Sequence, residues 1–599
     1  MKYRSAEGSR GFETRRPKPK SPAEIEYPSW ALGKAFKTLC SMSSSSVGRT
    51  AYAHYSKGEW ARLCSLEVNP RDYRKRSVLE FAVDYQIVSL FKKYEGFEGE
   101  VVDPKVKALG KFLESEERCR LTNVTFRNRW EGITHFPFHV EESFWLAKQK
   151  IRSILGRFDC DKFIESCRFG PGVDLGIHDE TKTSSYFKYK TPGHATSGAI
   201  WVLENYFKDD RRLEYSHTAR YVSSSALFYV PKKWDEYRTA AKEPRWNSFL
   251  QLGLGRCIED NLREKVGLDI KHQADINRLL ASSCHVDGTV TIDLRSASDS
   301  TSTNLLIDVL EGDEPDGNEG EGGSTWLDLI LKLRTPYTDV KGHGSIRQEK
   351  VSSMGNGYTF PLEMLIFYGL AFGVCQHLKL DTSKIAVFGD DIIVPRDAAQ
   401  LLIQLLGCCG YVPNIEKTFL RGEFFESCGH DYFRGRNVRP VFLKKECTNA
   451  SIAYRLHNAF VEWGCRISAF SSSGGCHTYA RDVCRQLISG IPKAHRLYGL
   501  RCESDGHLFA PWDVVKPTYH STRAVRDELR DGWDGYSFWS WVVVPNDEYG
   551  GSYKGHLYSK LGGITDTGNN VTLRDAGRLV KKKIFVSSQL MADFVFSEM

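Results

Sequence analysis

The run Ile385-Ala-Val-Phe-Gly-Asp-Asp-Ile-Ile-Val-Pro395 sets two acids between two short apolar segments of strand-forming residues. Gly389 can take the positive φ that a tight hairpin turn demands, so the pattern reads as strand, turn, strand. Asp390 and Asp391 then stand at the tip of a buried hairpin. Two unit charges ~4 Å apart repel by about 4 kcal/mol at an effective dielectric of about 20, so the pair does not serve stability. A divalent cation removes the objection, and oxygen ligands favour Mg²⁺ or Mn²⁺, ions usually shared with substrate phosphates. An ordinary Asp-rich surface turn is the plainer reading of three residues taken alone.

Upstream, Thr289 to Leu294 alternates as a strand ending in Asp293, and the short turn after it carries Asp299. Asp293 can complete a cluster with Asp390 and Asp391; the alternative is a cap for a helix starting near Ser300. Between these acids lies Ser352-Ser353-Met354-Gly355-Asn356-Gly357, read as a flexible loop whose backbone and small hydroxyls can approach a nucleotide. Thr359 and Pro361 then open an apolar helix to about Leu378. Beyond the hairpin, a helix over Ala398 to Leu406 leads to Asn414-Ile-Glu-Lys417-Thr-Phe419, read as a strand with Lys417 near its end. Ser427 to Lys445 reads as a further hairpin turning around Gly435.

A basic segment, Pro231-Lys232-Lys233, Arg238 and Lys242-Glu243-Pro244, lies between an apolar strand (Ala226 to Val230) and a helix-like run (Phe249 to Leu262). Cations along an extended stretch can line a channel for triphosphates, or form a solvated loop. Cys167 to Gly172 is a turn, either close to a ligand or a plain connection. Lys182 to Lys190 mixes bases with Tyr186, Phe187 and Tyr189, which suits base stacking or an amphipathic edge strand. Glu311 to Gly323 is an acidic loop without calcium-site spacing. Ser77 and Glu80 form a capping box for a helix with Val78, Phe81, Ala82, Tyr85, Val88 and Phe91 on one face, stopped by Gly96. A second core helix spans Glu141 to Leu155. The late aromatics Trp533, Tyr536, Phe538, Trp539 and Trp541 read as core, and Lys581 to Lys583 as a solvated run.

With 599 residues, 41% of them hydrophobic, the chain can bury a large core and divides into several lobes. A formal charge of +7 permits an acidic polymer as partner without identifying one. The 16 cysteines show no CxxC pair or zinc spacing, Cys476-His477 and Cys484 coming nearest. The first 23 residues are polar and basic, unlike a secretory leader, and no apolar run reaches the ~18 residues of a membrane span. A reducing, cytosolic setting is expected.

The order of the parts is basic segment, strand with Asp293 and Asp299, Gly/Ser loop and helix, Asp-Asp hairpin, Lys417 and second hairpin. It resembles the palm of viral RNA-dependent RNA polymerases. Thr-Ile-Asp-Leu-Arg-Ser-Ala-Ser-Asp-Ser (291–300), Ser-Ser-Met-Gly-Asn-Gly-Tyr-Thr-Phe (352–360), Phe-Gly-Asp-Asp-Ile-Ile (388–393) and Glu-Ser-Cys-Gly (426–429) are similar to the replicase catalytic beta subunit of single-stranded RNA bacteriophages of the levivirus type. The likeness is dense from about 226 to 445; the acidic insert at 311–323 departs from it.

The resemblance implies an α+β right hand: a flexible basic tail over 1–30, fingers with part of the palm over 31–286, a palm with an antiparallel sheet over 287–436, and the thumb and C-terminal region over 437–599. It implies nucleotidyl transfer with two Mg²⁺ ions, Mn²⁺ being possible, held by Asp293 and Asp390 with Asp391 assisting. Asp299 and Asn356 would sense the ribose 2′-hydroxyl beside Ser353, Lys232 and Arg238 would hold the triphosphate, and Lys417 would be a proton donor to pyrophosphate. The implied partners are template and product RNA, ribonucleoside triphosphates, and host elongation factors Tu and Ts with a ribosomal protein, in the cytoplasm of the bacterial host and away from membranes. A reverse transcriptase, or a non-catalytic RNA-binding protein with a polymerase-like fold, stays open as an alternative.

Overall fold

The computed structural model describes residues 20–95, 103–177, 185–208, 210, 213, 216–311, 326–468, 480–520, 534–545 and 577–587. Gly96, residues 182–184, the acidic loop from 312 onward, Cys476-His477 and Trp533 lie outside them. Within residues 20–30, expected as the end of a tail, Ser21, Pro22, Ile25 and Tyr27 are buried. Ile25 and Tyr27 are buried with Ala450, Tyr454 and Leu508, and the Tyr27 hydroxyl donates to the Leu487 carbonyl at 2.8 Å.

Helix α1 (Val78–Ser89) begins at the expected capping box: the Ser77 hydroxyl accepts from the Glu80 amide, and the Glu80 carboxylate accepts from the Ser77 amide at 2.9 Å. It buries Phe81, Ala82 and Val88. Buried residues between 35 and 91 share one core with residues between 424 and 487. Helices α2 (Pro104–Trp130) and α3 (Phe138–Leu155) follow, α3 burying Phe144, Ile151, Ile154 and Leu155.

The Cys167 turn and the aromatic stretch after it build interior. Ser185–Lys190 is helical, Lys188 is buried beside Asp174, and the Tyr189 ring stands edge-on to Phe169, 4.7 Å between centres. Phe169 in turn packs on Trp246 and Phe249. Among the described side chains, Phe169 and Lys188 face inward rather than toward a surface.

Strands β1 (Ser224–Lys233) and β2 (Glu236–Lys242) pair as a hairpin, so the basic segment folds back on itself rather than running extended. Helices α4 (Arg245–Val266) and α5 (Ile270–Asp287) lead to β3 (Thr289–Ile292) and the short β4 (Leu294–Arg295). After α6 (Thr303–Leu310), strands β5 (Tyr337–Val340) and β6 (Gly344–Arg347) complete a four-stranded sheet ordered β2-β1-β5-β6, in which β1 and β5 run parallel. Helix α7 (Thr359–His377) precedes β7 (Ala386–Phe388) and β8 (Asp391–Pro395). These two strands with β3 form a fully antiparallel sheet ordered β3-β8-β7.

Helix α8 (Ala399–Cys408) and β9 (Val412–Pro413) come next, β9 pairing with β4. Residues 414–418, expected as a strand, form a turn, and only Phe419 pairs back, with Thr291. Strands β10 (Phe424–Ser427), β11 (His430–Phe433) and β12 (Arg436–Asn437) make two turns where one, at Gly435, was expected. Helix α9 (Ala450–Ser468) follows. Late in the chain β13 (Gly535–Pro545) pairs with β14 (Gly577–Ser587), burying Phe538 and Trp541. Trp539 is exposed, with Lys581 and Lys583 over its ring.

Both faces of the three-stranded sheet are covered. Ile292, Val387, Ile392 and Val394 join the largest core, while Ala386 and Ile393 pack with Ala281, Cys284, Phe425 and Tyr432. Helix α7 runs through that largest core. Against the expectation from composition, it is long and apolar enough to cross a membrane, yet 83% of its most apolar stretch is buried inside the protein. It meets α3 along small residues: a Cβ on Gly373 would fall 2.2 Å from the Ser143 carbonyl oxygen, and one on Gly369 would strike Ile151. Gly373→Ala is therefore expected to destabilise the fold by about 1–3 kcal/mol, because backbone must shift to admit the methyl group. The check is a lower urea midpoint with an unchanged denaturant slope.

Candidate active site

Pairing of Ile392 with Ile292 continues by one step to set Asp293, just past the end of β3, opposite Asp391 at the start of β8. Phe388 pairs with Asp391, so Gly389 and Asp390 form a two-residue turn. Gly389 has φ 58°, the glycine-first geometry that matches strand twist. A Cβ there would also come 2.6 Å from the Phe360 ring. Three acids separated by nearly a hundred residues thus share one end of one sheet, all partly exposed.

Their charges oppose one another. Burial, with Asp390 adding to it against Lys417, pushes the Asp293 carboxyl up to about 6. Burial, then Asp390 and Asp293, pushes Asp391 up to about 7. Asn414 donates to Asp293 Oδ1 at 2.7 Å, and Lys417 Nζ lies 3.7 Å from Asp293 Oδ2. Lys417 also bridges to Glu426 at 2.7 Å. Burial works against the Lys417 charge, but Glu426 and Asp293 outweigh it and hold the ammonium well above its ordinary value.

Beside Lys417 and Glu426 opens a cleft of about 1890 Å³. Its walls carry Lys232, Lys233 and Arg238 from the β1–β2 hairpin and Lys92 and Lys93 from beyond α1. The expected triphosphate cations therefore face a common space, although the three aspartates lie outside its lining. Lys92 and Lys93 were invisible as site residues, because nothing local in their sequence separates them from a solvated pair.

Asp299 does not cap α6; Ser302 does. It sits in a 3₁₀ turn (Ala297–Asp299) entered through Ser296 in the left-handed region, φ 51°. Lys350, fully buried, reaches Asp299 Oδ1 at 2.6 Å and Glu116 Oε1 at 3.1 Å. The 352–357 loop is wedged rather than flexible. Gly355, at φ 112°, lies where a Cβ would meet the Ala241 carbonyl oxygen at 2.3 Å, and the Ala241 amide donates to Met354 at 2.8 Å. The loop thereby rests on β2, the strand that carries Arg238. Within it the Ser353 hydroxyl and the Asn356 side-chain amide nitrogen are buried without a hydrogen-bond partner.

Glu363 on α7 is buried between these groups. Burial, then Asp390 and Asp299, pushes its carboxyl far above the usual range. The β10–β11 turn supplies two more neighbours, Ser427 donating to Asp391 Oδ1 at 3.4 Å and Cys428 beside it. The only sequence signal for them was the short Glu-Ser-Cys-Gly motif.

Carboxylates that resist ionisation in the bare chain fit hard divalent cations, which would stabilise the charged form. The one soft neighbour, Cys428, is pushed up to about 12 by burial and by Asp391, so it stays a protonated donor rather than a ligand. Among the described residues, only His139, Glu142 and His377 bring three ligating atoms within 4.8 Å of one another. Asp293, Asp390 and Asp391 do not meet that spacing.

Residues 65–469 match the model of the family described as RNA replicase, beta-chain. Among relatives, the RNA-directed RNA polymerase subunit beta of Escherichia virus Qbeta is 32% identical over 391 residues, 64% of this chain and 62% of the relative. The corresponding subunit of Enterobacteria phage SP is 31% identical, covering 64% of each, so the chain aligns with under two thirds of both proteins. The RNA-directed RNA polymerase beta chain of Enterobacteria phage fr is 33% identical over 70% of this chain and 73% of its own length. A solved RNA-dependent RNA polymerase of a human picorbirnavirus aligns over 45% of this chain and 56% of its own at 14% identity, with a TM-score of 0.28, too loose a superposition to carry any residue across. The family match runs over more than half of the sequence and takes in every motif around Asp293, Asn356, Asp390 and Glu426; the chain belongs to the RNA replicase beta-chain family.

Proposed function

We propose that this chain is an RNA-directed RNA polymerase that replicates a single-stranded phage RNA genome from ribonucleoside triphosphates. The observation that carries the reading is the β3–β8 register, which sets Asp293 against Asp391 beside the Gly389 turn and next to a lysine-lined cleft. In a right-hand arrangement, 31–286 would supply fingers and part of the palm, 287–436 the palm around the antiparallel β3-β8-β7 sheet, and 437–599 the thumb. Residues 35–91 would then lie against the thumb side, with which they share a core.

Asp293 and Asp390 would hold two ions, with Asp391 assisting. Bound Mg²⁺, or Mn²⁺ in its place, would lower the pKa of the growing strand's 3′-hydroxyl and neutralise charge on the departing pyrophosphate. Arg238 would grip triphosphate oxygens in bidentate fashion, with Lys232 as a second cation. Lys417 would balance the carboxylate charge when the site is between turnovers and is the candidate proton donor to pyrophosphate. Asp299, held in one orientation by Lys350, would read the ribose 2′-hydroxyl with Ser353 and Asn356. Template and product RNA would occupy the cleft. Elongation factors Tu and Ts, a ribosomal protein and the host cytoplasm enter from family membership alone.

Three outcomes test this reading. Asp390→Asn abolishes labelled ribonucleotide incorporation on an RNA template while leaving salt-dependent RNA binding nearly intact; incorporation at the normal rate would remove the metal assignment. Asn356→Ala narrows the preference for ribonucleotides over deoxyribonucleotides about tenfold or more, as expected when a buried group made for a hydroxyl is lost. The third concerns pH. Asp293 and Asp391 titrate in the folded chain above their unfolded values, so their contribution to metal-free stability is present at low pH and is lost as pH rises through 6 and 7. Mg²⁺ binds the ionised form and should raise the melting temperature clearly at about pH 8 and little at about pH 5; an equal shift at both would count against these ligands.

A further inference from the structure

The seam between α3 and α7 ends in a constellation that the polymerase reading does not use. His139, Ser143, Ala147 and Ile151 form one four-residue row on α3, and Gly369, Gly373 and His377 form another on α7. A Cβ at Gly373 would meet Ser143 and Ala147, and one at Gly369 would meet Ile151, so the two rows run antiparallel in close contact. His139 and His377 are consequently brought face to face at the surface, with Nδ1 of one 3.2 Å from Nε2 of the other. On its far side, His377 Nδ1 lies 3.2 Å from Glu142 Oε2.

We propose that His139 and His377 form a binding site for a borderline transition-metal ion of the Zn²⁺ class, oriented by Glu142. A carboxylate that accepts a hydrogen bond from Nδ1–H keeps the proton on Nδ1 and leaves the His377 Nε2 lone pair free toward His139, the arrangement by which outer carboxylates orient metal-binding imidazoles. Two nitrogens bound at 2.0–2.1 Å to a tetrahedral Zn²⁺ stand about 3.3 Å apart, close to the spacing already present. The ligating atoms of all three side chains lie within 4.8 Å of one another, so Glu142 can also rotate to become a third ligand. Imidazole selects Zn²⁺, Ni²⁺ or Cu²⁺ over Mg²⁺, so Mg²⁺ offered to the carboxylates would not compete for the histidine site. An ion here staples the start of α3 to the end of α7.

The test is calorimetric titration of the full-length chain with Zn²⁺, with Co²⁺ absorption as a reporter of ligand type. The wild type is expected to show a saturable site with nitrogen and oxygen ligation and a Zn²⁺-dependent rise in melting temperature. The double variant His139→Ala/His377→Ala should lose that site, and Glu142→Gln should weaken it about 10-fold to 100-fold. Both histidines lie at the surface end of the seam, and melting without Zn²⁺ checks folding; should the double variant melt early, exposed His139→Ala alone carries the comparison. Zn²⁺ affinity and melting shift that are the same in wild type and variants, or a Co²⁺ spectrum showing only thiolate ligation, would overturn the proposal. Incorporation in Mg²⁺ should be unchanged in all variants.

Discussion

The antiparallel pairing of β3 with β8 is the constraint on which the hairpin tip depends. Side chains alternate between the two faces of a strand, so a one-residue slip would exchange the faces completely. Here each face has its own core: Ile392 and Val394 fit the large cluster, and Ile393 fits the small one with Ala386 and Tyr432. Neither cluster could accept the other's side chains without voids or clashes. Packing at these apolar strand positions thereby fixes where the three carboxylates end up, although the carboxylates contribute nothing to the packing.

The same sheet end brings a second hairpin to the first. Cys428 and Gly429 both have positive φ, 49° and 68°, which closes β10 and β11 in a tight turn directly beside Asp391. Glu426, two residues before that turn, then holds Lys417, and Lys417 faces Asp293. Acids and bases alternate across the gap, so the cluster carries part of its own counter-charge. What remains is burial, with like charge from the neighbouring aspartates added to it, and together they hold the Asp293 and Asp391 carboxyls above their ordinary range. Displaced titration of this kind, next to a cleft, is the electrostatic feature on which the proposed cation site rests.

How much of this could be read from the chain follows from how local each signal is. The Gly389 turn, the Ser77 capping box and the α3 core face are set within a few residues, and all appear where the pattern puts them. Lys350 and Glu116 left no such trace, since the ion pair that holds Asp299 joins residues 51 positions apart and a third from a distant helix. Residues 414–418 look like a strand by composition, but Phe419 alone is drawn into pairing, by Thr291, and the remainder turns. Residues 352–357 look flexible because glycine and serine are read as slack; the glycines instead let the loop press against the β2 backbone. Lys188 and Tyr189 read as a stacking surface because the helix that turns them inward depends on contacts with Phe169 and Asp174.

That wedged loop also carries two buried polar atoms without a hydrogen-bond partner. A buried hydroxyl or amide left without a partner costs about 1–3 kcal/mol, a cost that a bound polar group could relieve. The Ser353 hydroxyl and the Asn356 amide are such a pair, held rigidly because Gly355 can approach Ala241 as no other residue could. On the other side of the same region, Asp299 is fixed by a lysine that has no solvent to turn to. Under the proposed polymerase reading, a ribose diol would be a ligand able to pair with these two atoms, while the loop's other hydrogen bonds already hold it in place.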